Sequence, residues 1–141
     1  MRQRFVLATE PKPQKRHRIR RVGDKVMSYD PSSKDKADFV TLLLSEYPGT
    51  QIMKGAIRAT MMFAKPVPKS WSKKKKAEHF GKSITSKPDV DNYGKFYLDA
   101  LEGVLYENDS QVAWIAMSKI WSEVGSVGLI FEDEGKDTRN I

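Results

Sequence analysis

Residues 86–112 read SKPDVDNYGKFYLDALEGVLYENDSQV, and two patterns are superimposed in them. Tyr93, Phe96, Tyr97, Ala100, Leu101 and Val104 recur at i, i+3, i+4, i+7, i+8 and i+11. This continuous apolar stripe predicts a helix over about residues 91–102. Gly103 is the natural residue to close it. Asp91, Lys95, Asp99 and Glu102 make a second, polar stripe along the same helix. A helix with one apolar face needs a second layer to bury it, so the segment also predicts what must surround it.

Working outward, residues 55–64 alternate. Ile57, Ala59, Met61 and Phe63 point one way and Arg58, Thr60 and Met62 the other, the pattern of a half-buried strand stopped by Pro66 and Pro68. Ser70 is expected to cap a short helix, SWSKKKKAEHF, ending at Gly81. Its four consecutive lysines spread around the helix and leave it facing solvent or a polyanion. A loop follows, with Pro88 holding Lys87 extended. Ser32 and Asp35 resemble a capping box opening a helix over residues 33–46, with Phe39, Leu42, Leu43 and Glu46 at helical spacing and Pro48-Gly49 after it. Residues 2–9 read as a first strand, and PKPQKRHRIRR as a basic loop or ribbon feeding a short strand at residues 25–29. Downstream, residues 110–121 read as a long strand, with residues 126–131 paired to it as a hairpin through residues 123–125. The acidic segment EDEGKDTRNI (residues 132–141) lacks core-forming side chains and reads as a frayed tail. The expected architecture is one α+β domain over residues 1–131, a small mixed or antiparallel sheet, its strands mostly in hairpins, with helices packed on one face.

Composition narrows the chemistry. The chain has 141 residues and no cysteine, which excludes thiolate nucleophiles, disulfides and cysteine-based zinc sites. No apolar run suits a membrane span, and residues 1–10 carry no signal-peptide pattern, so a cytoplasmic protein with no membrane partner is expected. The net charge of +7 hides an asymmetry: residues 1–88 hold 21 Lys/Arg against 7 Asp/Glu, and residues 89–141 hold 4 against 11. A basic field of that size either attracts polyanions, nucleic acid above all, or is a solvated face.

Against that field, Asp89, Asp91 and Asp109 are gathered where they cannot serve a core. The helix climbs roughly 17 Å and the seven residues after it can return about 23 Å, so Asp109 can come back beside the helix N-terminus. Such a set of carboxylates suits a hard cation such as Mg²⁺. Lys95, one turn beyond Asp91, could neutralise the acids or stabilise charge on a scissile phosphate. Each residue also has an ordinary use: Asp91 as an N-cap and partner of Lys95, Asp109 as a turn residue. Asp99 lies about 12 Å along the helix from Asp91 and reads as structural. The run from Asp89 to Gly94 opens like a calcium loop, but Tyr93 and Ala100 stand where ligands belong, which excludes one. His17 and His79 lie among basic residues with no nucleophile at readable spacing. Trp71, beside the lysine run, is a candidate for stacking on a base.

Lys87-Pro88-Asp89-Val90-Asp91-Asn92, Lys95, Leu98-Asp99-Ala100-Leu101, Gly103-Val104 and Asn108-Asp109-Ser110-Gln111-Val112 together resemble the RusA family of Holliday junction resolvases. The resemblance implies a small α+β homodimer that makes paired, symmetric nicks in a four-way DNA junction, in recombination and repair, using Mg²⁺ with Mn²⁺ as a substitute. It implies Asp89, Asp91 and Asp109 as metal-binding catalytic carboxylates and Lys95 as the catalytic lysine. The family commonly has two consecutive acids where this chain has Asn108-Asp109. The acid that counts is the second, so activity is expected to persist. Lys15, Arg16, Arg18, Arg20, Arg21, Lys69, Lys73, Lys74, Lys75, Lys76 and Lys87 are the expected DNA contacts; no small-molecule substrate is expected. Family members often come from phages and prophages. The alternatives are a non-catalytic, structure-specific DNA-binding dimer and a nuclease for other branched DNA.

Overall fold

The computed structural model describes residues 1–134. Six strands and three α-helices follow in the order β1 (Arg2–Leu7), β2 (Arg18–Val22), β3 (Lys25–Tyr29), α1 (Ser33–Glu46), β4 (Ile57–Pro66), α2 (Lys73–His79), α3 (Val90–Ala100), β5 (Val112–Ser122) and β6 (Ser126–Asp133). A one-turn 3-10 helix, Asp109–Gln111, precedes β5. The α+β class and mixed sheet are as expected. No described helix is long and apolar enough to cross a membrane.

The sheet order is β1-β6-β4-β5, with β2 and β3 forming a separate ribbon. This corrects the expected β5–β6 hairpin. Strand β4 lies between them, parallel to β5 and antiparallel to β6, and the ribbon alone is a hairpin of consecutive strands. The local pattern is the same either way, because alternation tells a strand which face to bury and not which neighbour to bond. The three residues 123–125 cross the end of β4, where Pro66 offers no N–H to the ladder. Strand β6 continues through Glu132 and Asp133, paired with Arg2 and Ile57, so the domain extends past the expected boundary at residue 131. The rest of the expected tail, residues 135–141, lies outside the described residues.

The stripe of α3 does what its spacing predicts. Tyr93, Phe96, Tyr97, Ala100 and Leu101 are buried with Ile57, Ala59, Met61 and Phe63 of β4 and Phe39 and Leu43 of α1. Phe63 stacks on Tyr97 at 5.4 Å and lies 5.1 Å from Tyr93. Each such side chain removed from water contributes about 1.5–3 kcal/mol, so this layer is what fixes α3 on the sheet. The opposite sheet face stays open: Val6 and Met62 are exposed on either side of Gly128.

The helix caps differ from expectation, though α1 spans the expected residues. Helix α1 begins after Ser32, but the Ser32 hydroxyl accepts from the Lys15 N–H and Asp35 pairs with Lys12, so no capping box forms. Helix α2 is capped by Ser72, not Ser70; Ser72 accepts from the Lys75 N–H. Helix α3 starts one residue early, with Asp89 at the N-cap position and Asp91 inside the first turn.

Candidate active site

Asp89 sits at the N-cap with extended backbone, yet its carboxylate caps nothing and pairs instead with Lys87 at 3.1 Å. Asp91 pairs with Lys95 at 3.7 Å. Both carboxylates are more than half exposed, 54% and 59%. The loop that carries Asp89 is braced from the sheet: the Lys119 ammonium of β5 donates to the carbonyls of Ser86 and Pro88 at 2.7 and 2.8 Å. Sequence reading missed Lys119, because a lysine in an alternating strand carries no signal of a carbonyl partner 33 residues away.

Asp109 is presented by a closed local device. Asn108 caps the 3-10 turn by accepting from the Ser110 N–H, and the Gln111 carbonyl accepts from the N–H groups of Glu107 and Asn108. The Gln111 amide then donates to the carbonyls of Met53 and Gly55, fastening the turn to the chain entering β4. Asn and Asp cap comparably well, so Asn108 holds this turn as an aspartate would. The Asp109 carboxylate accepts no hydrogen bond from the described residues and is exposed.

Asp109 comes back beside α3, sharing a cleft with Lys95, Leu98 and Asp99. The cleft is also lined by Gln14, His17, Asp30 and Lys36, and neither Asp89 nor Asp91 lines it. On the way to Asp109, residues 101–106 coil back on themselves. Gly103, at φ +82°, donates its N–H to the Tyr106 carbonyl, and the Tyr106 hydroxyl donates to Leu98 of α3. Among the described residues no three acids or histidines converge on one point as a closed metal site would require. Burial and then the charge of Asp109 push the Tyr106 phenol far above its ordinary range.

The cleft wall holds a buried cation that sequence reading also missed. Lys36 of α1 is 7% exposed and donates to Asp30 and Asp99. It lies three residues before Phe39 and seven before Leu43, on the same buried face, and that spacing was the available signal. Burial pulls the Lys36 ammonium down, but the two carboxylates more than offset this and hold it above the ordinary lysine range. Burial alone would push Asp30 up; Lys36, the Ser32 N–H and the Gln14 amide hold it down to about 2. Asp99 is structural, as expected, and it also forms the wall beside Asp109 and Lys95.

The basic residues fall into two groups. Lys15, Arg16, Arg18, Arg20 and Arg21 are exposed on and before the ribbon, near the cleft. Lys69, Lys73, Lys74 and Lys75 are exposed at and before α2, Lys76 is half-buried, and Lys87 is tied to Asp89. Trp71 is no free platform: it packs on Trp121 at 5.1 Å and His79 at 4.7 Å, with the Lys75 ammonium 4.4 Å from its ring centre.

Residues 8–130 match the family described as Endodeoxyribonuclease RusA, which spans most of the chain and all of the residues above. The chain belongs to the RusA family. It is also 36% identical over 135 residues to the uncharacterized protein YqaN of Bacillus subtilis (strain 168), covering 92% of this chain and 95% of that one. The RusA family is one of endodeoxyribonucleases. The carboxylates and lysines gathered around the start and middle of α3 are therefore the candidate site of phosphodiester hydrolysis.

Proposed function

We propose that the protein is a Mg²⁺-dependent endodeoxyribonuclease that resolves four-way DNA junctions by paired nicks. The observation that carries this is Asp109: an exposed carboxylate that accepts no hydrogen bond among the described residues, held by the Asn108–Gln111 device beside Lys95 in a strongly basic chain. A carboxylate spent on neither capping nor packing, and set where phosphate must approach, is useful for holding a cation.

The chemistry of the donors suits that role, although among the described residues the three do not converge on one point, so a shared ion would have to draw them together. Asp89, Asp91 and Asp109 offer only oxygens, suited to a hard ion, and none of the three is consumed in a cap. These three would hold Mg²⁺, or Mn²⁺ in its place, which when bound supplies an activated water and shields the leaving oxygen. Lys87 and Lys95 neutralise Asp89 and Asp91 when no substrate is present. With DNA bound, Lys95 is released toward the phosphate, where its charge stabilises the negative charge that builds on the non-bridging oxygens as phosphorus becomes five-coordinate. Asp109 and Asp91 orient the reacting groups, and the basic residues draw in the backbone without reading sequence.

A four-way junction offers two equivalent strands, and a two-fold dimer presents two equivalent sites, so the active form is a homodimer. The apolar stripe of α3 is spent on the protein's own core, which leaves the open sheet face around Val6 and Met62 for the second copy. A role in cytoplasmic DNA recombination follows.

The test uses a labelled synthetic four-way junction beside a matched linear duplex, with Mg²⁺ or EDTA. Symmetric nicks in the junction alone, lost with EDTA and with Asp109→Asn while junction binding persists, are expected. Junction binding with no metal-dependent cleavage would sink the enzyme and favour a DNA-binding module. Nicks in flaps but not in four-way junctions would move the substrate to other branched DNA.

A further inference from the structure

The β2–β3 ribbon is spent on no core. All ten of its residues are exposed, with Ile19 at 76%, Val26 at 62% and Met27 at 55%. A free two-stranded hairpin is marginal in water, so its own faces contribute little to stability. Its turn is nevertheless well made: Gly23, at φ +61°, and Asp24 close it in the manner of a type II′ turn, which matches the twist of paired strands.

The register gives the ribbon a mixed face. Arg18 lies opposite Tyr29, Arg20 opposite Met27, and Lys25 opposite Val22, so each pair sets a cation beside an apolar or aromatic group. Asp24 is the sole acid in residues 18–29, and it sits in the turn.

The root of the ribbon is rigid and close to the cleft. Asp30, which follows β3, is gripped by Lys36, the Ser32 N–H and the Gln14 amide. The Gln14 N–H donates to the carbonyl of Asn92, next to Asp91, at 2.8 Å. His17, immediately before β2, lines the cleft with Lys95 and Asp109. The ribbon therefore rises from the rim of the candidate active site.

We propose that this ribbon is a duplex-gripping arm that lies in the major groove of the DNA flanking the phosphodiester held at the cleft. Arg18, Arg20 and Lys25 meet phosphates, while Val22, Met27 and Tyr29 cover sugar and base-methyl surface. The proposal rests on the nuclease reading. Five residues extend about 17 Å, and the major groove, about 12 Å wide, admits a two-stranded ribbon. Charge complementarity selects DNA over a second copy, because two such faces would set cations against cations.

The test is a variant carrying Arg18→Gln, Arg20→Gln and Lys25→Gln. Binding to a labelled linear duplex and a four-way junction is followed by fluorescence anisotropy without divalent ions, from about 50 to 200 mM salt. The dependence of log affinity on log salt should become shallower by about 2.7 for both DNAs, at roughly 0.9 per lost phosphate contact. The melting temperature should stay put, because the ribbon packs on nothing. Met27→Ser with Tyr29→Ser should weaken binding at unchanged slope. An unchanged slope and affinity in the first variant, a loss confined to the junction, or full binding by the second would overturn the arm. A wild-type chain that binds neither DNA would overturn the nuclease reading with it, an outcome distinct from the other three.

Discussion

Replacing Lys36 by methionine keeps most of its buried stem and removes its charge, leaving Asp30 without its cation. Asp30 is held at about 2 against an ordinary 3.8, and its side chain is only 16% exposed. At about 1.4 kcal/mol per pH unit this gap is worth about 2 kcal/mol at neutral pH. Asp99, 55% exposed, adds little. The expected loss is therefore about 2 kcal/mol, below the 3–5 kcal/mol typical of stripping one partner from a fully buried pair. A lowered carboxylate contributes stability that is complete above its unfolded value and is lost as pH falls through its folded value. The contribution is thus full above about pH 5, roughly halved near pH 3, and small by pH 2. Urea unfolding at pH 7 and pH 3, read as midpoint shifts at constant slope, should show the Lys36→Met penalty shrinking by about half at the lower pH. Asp30→Asn added to Lys36→Met should recover part of it, because no buried charge is left stranded. An equal loss at both pH values, or a double variant no better than the single, would refute the reasoning and make Lys36 a packing residue.

Gly94→Ala should cost about 1 kcal/mol net in thermal or urea unfolding. A Cβ there runs into the Met117 sulfur, so overpacking outweighs the roughly 1 kcal/mol of helix propensity gained; a gain instead would mean that Met117 swings aside. Gln111→Ala removes an amide bonded to four backbone groups and should lower stability by about 1–3 kcal/mol, while reducing nicking far more than junction binding. Asp99→Asn should leave nicking within a few fold of wild type, and a loss as deep as that of Asp109→Asn would make Asp99 part of the chemistry. Met62→Glu on the open sheet face should shift sedimentation from dimer to monomer; an unchanged dimer would place the contact elsewhere.

What the sequence determined by itself was local periodicity and the chemistry it exposes. The stripe of α3, the alternation of β4, the span of α1 and the position of β3 follow from which side chains must leave water. The three aspartates stood out because they gather in a short stretch of a basic chain, although Asp91 and Asp109 also have ordinary local uses. What only the tertiary structure decided were partners. Strands β5 and β6, three residues apart, satisfy a hairpin pattern as well as the observed order. Their separation by β4 depends on which strand takes the centre of the sheet, and no single segment states that. Ser32 carries the signature of a cap, but Lys15 takes its hydroxyl. Lys36 and Asp99, 63 residues apart, become an ion pair only when α1 and α3 pack together. Asp109 meets Lys95 and Asp99 in one cleft only because residues 101–106 fold back on themselves on the way to it. A hydrogen bond or ion pair belongs to two residues at once, and a one-dimensional pattern records at most one of them.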